Sequence, residues 1–216
     1  PISTGDRVTF PTLSGTASQT VTIGEALTLG DLYLASSTAY TLSGGQLTLA
    51  AFAGKMPSVT VVGGSHTFAM PVVLNDAAAI SVSTNQALAL TGAVSGSAPL
   101  VISGGGAVTA NNTGSTFTGD VVVSNATLKL YGGVSELNPT HGSLGNLQSE
   151  GRVITIRDGG GLFCGAHDLF GYVHDSSTVR SVPSTTKAQW HIGPNGTLGT
   201  DNAFNCLSNI VLDAGT

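Results

Sequence analysis

Charge is what this chain has least of. Lys+Arg number 7 and Asp+Glu 12 in 216 residues, 9% together, against about a quarter in an ordinary soluble chain. The charges are scattered and form no basic stripe, so nucleic acid is not expected as a partner. Aromatic residues make up only 6%. The Glu, Lys, Arg and Leu mixture that builds long amphipathic helices is missing. No apolar run reaches the length of a membrane-spanning helix, so no transmembrane segment is expected in this chain.

Gly, Thr, Val, Ser and Asn take the place of these residues, with glycine alone at 30. That composition favours short strands and tight turns. Self-similarity along the chain is the strongest signal. A β-branched strand, a Gly/Asn/Ser turn and a second alternating strand recur as "VTIGEALTL" from Val21, "YTLSGGQLTL" from Tyr40, "VTVVGGSHTF" from Val59, "ISVSTNQALAL" from Ile80, "VISGGGAVTA" from Val101 and "VVVSNATLKL" from Val121. Apolar anchors of the second strand fall at Leu27, Leu47, Phe68, Leu88, Val108 and Leu128, in steps of 20, 21, 20, 20 and 20. Those of the first strand fall at Ile23, Leu42, Val61, Val82, Ile102 and Val123.

A period of about 20 is too short for a helical hairpin repeat or a propeller blade. The Gly-rich, variable turns do not suit a leucine-rich repeat. The expected fold is all-β, a right-handed parallel β-helix (β-solenoid). Each coil adds about 4.8 Å, with Leu, Ile and Val turned inward and Thr, Ser and Asn outward. No coil buries its own apolar face; its neighbours do that.

The period breaks after Leu128. "ITIRDGGGLF" and "WHIGPNGTL" place the next anchors at Leu162 and Leu198, steps of 34 and 36. The excess is expected to leave the coils as two loop excursions, 131–150 and 165–187. Such loops on a rigid scaffold are the usual site of function. The whole chain, 1–216, reads as one solenoid segment: 1–20 an N-terminal cap or lead-in, 21–130 regular coils, 131–216 coils with inserted loops. A start at Pro1 and a strand-and-turn ending at 209–216 lead us to expect a longer chain or assembly.

Over Val73–Leu130 the chain resembles the autotransporter-associated β-strand repeat (passenger-associated transport repeat) of Gram-negative surface proteins. The resembling residues are "VVLNDAAAISVSTNQALALTGAVSG" and "GGGAVTANNTGSTFTGDVVVSNATLKL". The turn Ser115-Thr116-Phe117-Thr118-Gly119-Asp120 and the strand Ala126-Thr127-Leu128-Lys129-Leu130 carry the motif, with Phe117 for the usual Tyr and Asp120 for the second Gly. The resemblance implies a secreted, cell-surface passenger or fibre with a right-handed β-helix fold. It brings no catalytic residue with it.

Candidate chemistry is sparse. Cys164 and Cys206 have two readings: a disulfide if 165–187 is an excursion that leaves them one coil apart, or two buried thiols. His167, Asp168, His174 and Asp175, in "HDLFGYVHD", form the only dense set of potential ligands and a candidate binding loop. They lack the spacing of a metal site, and a polar loop tucked down by Leu169, Phe170 and Tyr172 is the favoured explanation of them. The carboxylates Asp76, Asp120, Glu136, Glu150 and Asp158 stand apart; the best catalytic grouping is Arg157 and Asp158 facing His191. Gly104-Gly105-Gly106 and Gly159-Gly160-Gly161 lack the helix and acid of a nucleotide fingerprint and read as corners. Three glycosylation triplets begin at Asn111, Asn125 and Asn195, all at turns where Asn is expected anyway.

No catalytic, metal or cofactor site is therefore expected. The expected role is an extracellular structural element, a β-helical fibre, surface-layer or stalk segment, self-associating or continuing its own solenoid. The alternative is an adhesin that binds glycan or a cell surface through 131–150 and 165–187. A polysaccharide-active β-helix enzyme ranks below both.

Overall fold

A computed structural model describes residues 6–134, 139–170, 172–175, 180–183, 186–200 and 210–213. Among them there are strands and turns and no helix, hence none long and apolar enough to cross a membrane. Two parallel sheets curl around one apolar core.

The nine-stranded sheet runs in chain order through Arg7–Phe10, Asp31–Ala35, Ser58–Gly63, Ala78–Val82, Leu100–Ser103, Val121–Ser124, Val153–Arg157, Gln189–Ile192 and Ile210–Leu212. One apolar column passes through all nine, buried from Leu32 to Ile156 and exposed at its last residue: Val8, Leu32, Val59, Ile80, Ile102, Val123, Ile156, Ile192 and Leu212. The alternation of Val121–Ser124 shows why these residues make strands. Val121 and Val123 are buried while Val122 and Ser124 are partly exposed. Each fully buried Val, Leu or Ile contributes about 1.5–3 kcal/mol.

The ten-stranded sheet forks. The long strand Ala39–Leu49 pairs at Leu42 with Phe68 and at Leu47–Leu49 with Val72–Leu74. Between these points stand Gly44, at φ 87°, and Gly45, where a Cβ would overlap the Glu25 carbonyl. Only glycine fits such a bend between two strands. One arm continues through Ser65–Phe68, Ala87–Leu90, Ala107–Ala110, Thr127–Leu130, Gly161–Cys164 and Thr197–Thr200. The other passes through Val72–Leu74 to Val94–Gly96. It then goes on as hydrogen-bonded backbone without regular strands: Thr118 N–H donates to Gly96 O, Asn146 N–H to Phe117 O and Lys187 N–H to Leu147 O.

The pairing confirms part of the periodic register and corrects part. Leu88, Val108, Leu128, Leu162 and Leu198 are successive partners, so the steps of 34 and 36 are real. Earlier, Leu47 lies beside Val72 and not Phe68, and Phe68 lies beside Leu90. The first-strand anchors mix two sheets: Leu42 belongs to the ten-stranded one and Val61 to the nine-stranded one. The strand Asp31–Ala35, which the spacing does not reveal, precedes both and pairs with Ser58–Gly63 in the nine-stranded sheet.

The first expected excursion is drawn into the body over its described part. Leu144 and Leu147 are buried beside Phe117. Buried Ser143 accepts from Gly132 N–H (2.6 Å) and donates to Ala110 O (3.0 Å). Segment 139–150 therefore completes the second arm. The second excursion contains an antiparallel pair, Tyr172–Asp175 with Arg180–Pro183, separate from both parallel sheets.

Candidate functional site

The second excursion is built from its anchors outward. Leu169 and Phe170 are buried, and the Phe170 ring meets Trp190 edge-on with centroids 4.8 Å apart. Trp190 is fully buried and faces inward beside Ile154. Just before the anchors, His167 is exposed and Asp168 takes φ 61°, with its carbonyl accepting from Val134 N–H (3.2 Å). His174 and Asp175 belong to the antiparallel pair, opposite Ser181 and Arg180. The structure thus divides the candidate binding residues between a bend and a hairpin strand. Among the described residues no three His, Cys, Asp or Glu gather as metal ligands.

Cys164 is buried, in register between Leu130 and Thr200. Its suggested partner, Cys206, lies outside the described residues, as does Glu136. The grouping of Arg157, Asp158 and His191 does not form. Register puts His191 opposite Thr155, and its Nδ1 stands 3.6 Å from Asp213 Oδ2. Arg157 instead meets its neighbour Asp158 at 3.4 Å, an exposed contact worth little. Of the six glycines read as corners, Gly104, Gly105 and Gly159 have positive φ, Gly106 and Gly160 do not, and Gly161 opens a strand. Asn125 and Asn195 also occupy left-handed corner positions. Asn111, Asn125 and Asn195 are all exposed.

Two buried polar residues escaped the sequence reading. Arg152 is 2% exposed. Its Nε donates to Gly119 O (2.8 Å), its Nη1 to Asn146 O (2.9 Å), and its guanidinium lies 4.5 Å from the centre of the Phe117 ring. Burial pushes its pKa down to about 10, against the opposing pull of Asp120. Nothing local marks it; it is one basic residue ahead of a strand.

His66 occupies an inward position beside Leu88, where the alternation calls for an apolar residue. Its Nε2–H donates to Gly63 O (2.6 Å), which leaves Nδ1 to accept from Tyr40 N–H (3.1 Å). Burial holds its pKa below the usual 6.5. The unfolded chain therefore takes up a proton that the folded chain resists, and stability falls as pH drops below that value. The expected result is a Tm that declines between pH 7.5 and 5 in the unmodified chain and declines less in His66→Gln. Equal slopes for the two proteins would assign the acid response to other groups.

Comparison with protein-family models, with curated proteins and with solved structures finds no match to this chain.

Proposed function

We propose that this chain is a segment of right-handed β-solenoid in an extracellular structural protein, a fibre, surface layer or stalk that extends and presents a surface without catalysing a reaction. One observation carries the reading: a column of single apolar residues, buried from Leu32 to Ile156, passes through all nine strands of one parallel sheet in chain order. Such stacking extends along one axis, each layer covering the apolar face of the last. A charge content of 9% and outward hydroxyl residues suit a durable surface outside the cell. The resemblance of Val73–Leu130 to the autotransporter-associated repeat of Gram-negative surface proteins points the same way. Partner contacts would be coil on coil, head to tail, between copies or along a longer chain.

The adhesin reading has its own supporting observation. The Tyr172–Asp175 and Arg180–Pro183 hairpin belongs to neither parallel sheet and follows a buried anchor at Phe170. That is how a scaffold presents a recognition loop.

Electron microscopy of the purified native assembly tests the choice. The expected result is regular filaments with continuous layer lines near 4.8 Å. Isolated, capped rods would remove the polymer and leave a presenting passenger.

A further inference from the structure

The outer surface of the ten-stranded sheet carries two aromatic rings on a glycine floor. Three neighbouring strands supply it, in the register Thr127↔Gly161↔Thr197 and Lys129↔Phe163↔Gly199. Tyr131 and Gly165 extend the first two rows by one outward position, where Gly165 N–H donates to Leu130 O (2.8 Å).

Alternation puts all of these side chains on the solvent side. Their inward neighbours Leu128, Leu130, Leu162 and Cys164 are buried. On an ordinary outer face every position would carry a Cβ and lift a large side chain off the sheet. Here three positions carry none, and rings fill the space. A Cβ on Gly161 would fall 2.7 Å from Phe163 Cε2, and one on Gly199 would fall 2.8 Å from Phe163 Cδ1 and Cε1. Opposite edges of a single ring thus meet the two glycine positions, which places the ring low on the sheet between them. A Cβ on Gly165 would overlap the Tyr131 ring in the same way. Tyr131 nevertheless remains 38% exposed, and Phe163 is partly exposed.

From this geometry we infer a glycan-stacking platform, with neutral, β-linked polysaccharide as its ligand class. An aromatic ring held against backbone on one side offers its other side to the flat C–H face of a pyranose ring. Along the strand the floor from Gly161 to Gly165 covers about 13 Å at ~3.3 Å per residue, a span that accommodates adjacent sugar units of an extended chain. The hydroxyls of Thr127, Thr197 and Tyr131 border the rings and match sugar hydroxyls. Among the described residues of the three rows Lys129 is the one formal charge, so they carry no charge pattern for an acidic or basic protein partner. The platform lies on the sheet itself and stands independently of the polymer reading; a rod that never polymerises would still carry it.

Aromatic cover over glycine also stabilises a sheet, and the test separates that effect from recognition. The full chain is mixed with insoluble cellulose and chitin, and binding is followed in solution by saturation-transfer NMR with cellohexaose and chitohexaose. Retention on at least one polymer is expected, with saturation passing from the rings to the sugar C–H protons. Phe163→Leu and Tyr131→Leu preserve apolar cover but remove the π face. Each should weaken binding by about tenfold or more, and Tyr131→Leu, at the more exposed ring, should do so with Tm unchanged. No binding by the unmodified chain to any of the four probes overturns the inference, and so does equal binding by a folded Tyr131→Leu protein.

Discussion

Arg152→Ala is expected to lower the unfolding free energy by about 3–5 kcal/mol, because it removes two hydrogen bonds from a charged donor at about 1.5–3 kcal/mol each. The Arg152 side chain joins two carbonyls far apart in sequence, Gly119 O and Asn146 O, and covers the Phe117 ring. Truncation leaves the buried Gly119 carbonyl and the partly buried Asn146 carbonyl without that donor, at about 1–3 kcal/mol for a buried group left unsatisfied, and opens a void beside Phe117. An opposing term exists. The guanidinium is buried, its Nη2 has no hydrogen-bond partner among the described residues and its pKa is held down to about 10, so the folded state already bears a desolvation cost. Arg152→Met keeps most of the volume and removes that cost, and should be milder than Arg152→Ala. Urea unfolding followed by circular dichroism gives both values. A loss below about 1 kcal/mol for Arg152→Ala would show that the second arm closes without this residue.

Trp190→Ala should also cost about 3–5 kcal/mol, as a large aromatic is removed from a closed core. Trp190 is fully buried, stacked in register between Ile154 and Ile210 and in edge contact with Phe170. Its indole Nε1 has no hydrogen-bond partner among the described residues, so Trp190→Phe, which deletes that N–H, should cost less. The contact with Phe170 ties the second excursion to the nine-stranded sheet. A double-mutant cycle on Phe170 and Trp190 should give a coupling of about 0.5–1.5 kcal/mol. Limited proteolysis within 165–187 should speed up in Phe170→Ala while the strand 153–157 keeps its hydrogen-exchange protection. Unchanged cleavage would mean that the excursion is held by contacts other than this one.

These two sites differ in how far the amino-acid order announced them. Phe170 was readable as an apolar residue that would tuck a polar loop down, because a large ring in a hydrophilic stretch has no cheaper place. Arg152 was not readable. A guanidinium is ordinarily left in water, and its burial depends on two carbonyls and a ring supplied by residues 33 and 6 positions away, at Gly119 and Asn146. His66 was hidden by the opposite effect: it stands in an apolar column, and only the Gly63 and Tyr40 backbone groups beside it make that position acceptable. The aromatic–glycine floor was invisible for a similar reason. Gly161 reads as part of a corner, and Gly165 and Gly199 carry no local signal, until register brings them under Phe163 and Tyr131.

The all-β, parallel character was local information. Period-two alternation of Val, Leu and Ile with Thr and Ser decides which side of each strand is buried, and that choice needs no distant partner. From Leu88 onward the repeat length also gave the right neighbours, because the corners there keep a constant length and the wider spacings at Leu162 and Leu198 preserve phase. Before Leu88 the corners exchange residues with one another. The strand Asp31–Ala35 intervenes, the strand Ala39–Leu49 serves both arms, and Leu47 comes to lie beside Val72. Alternation survives such shifts of two residues unchanged, so it cannot report them. What the order of residues determined by itself was the inside and outside of the strands in the regular coils. Which strands became neighbours, and so which glycines met which rings and which carbonyls met Arg152, was decided by the tertiary structure, where corner geometry and closure of the common core select one register from several with the same local pattern.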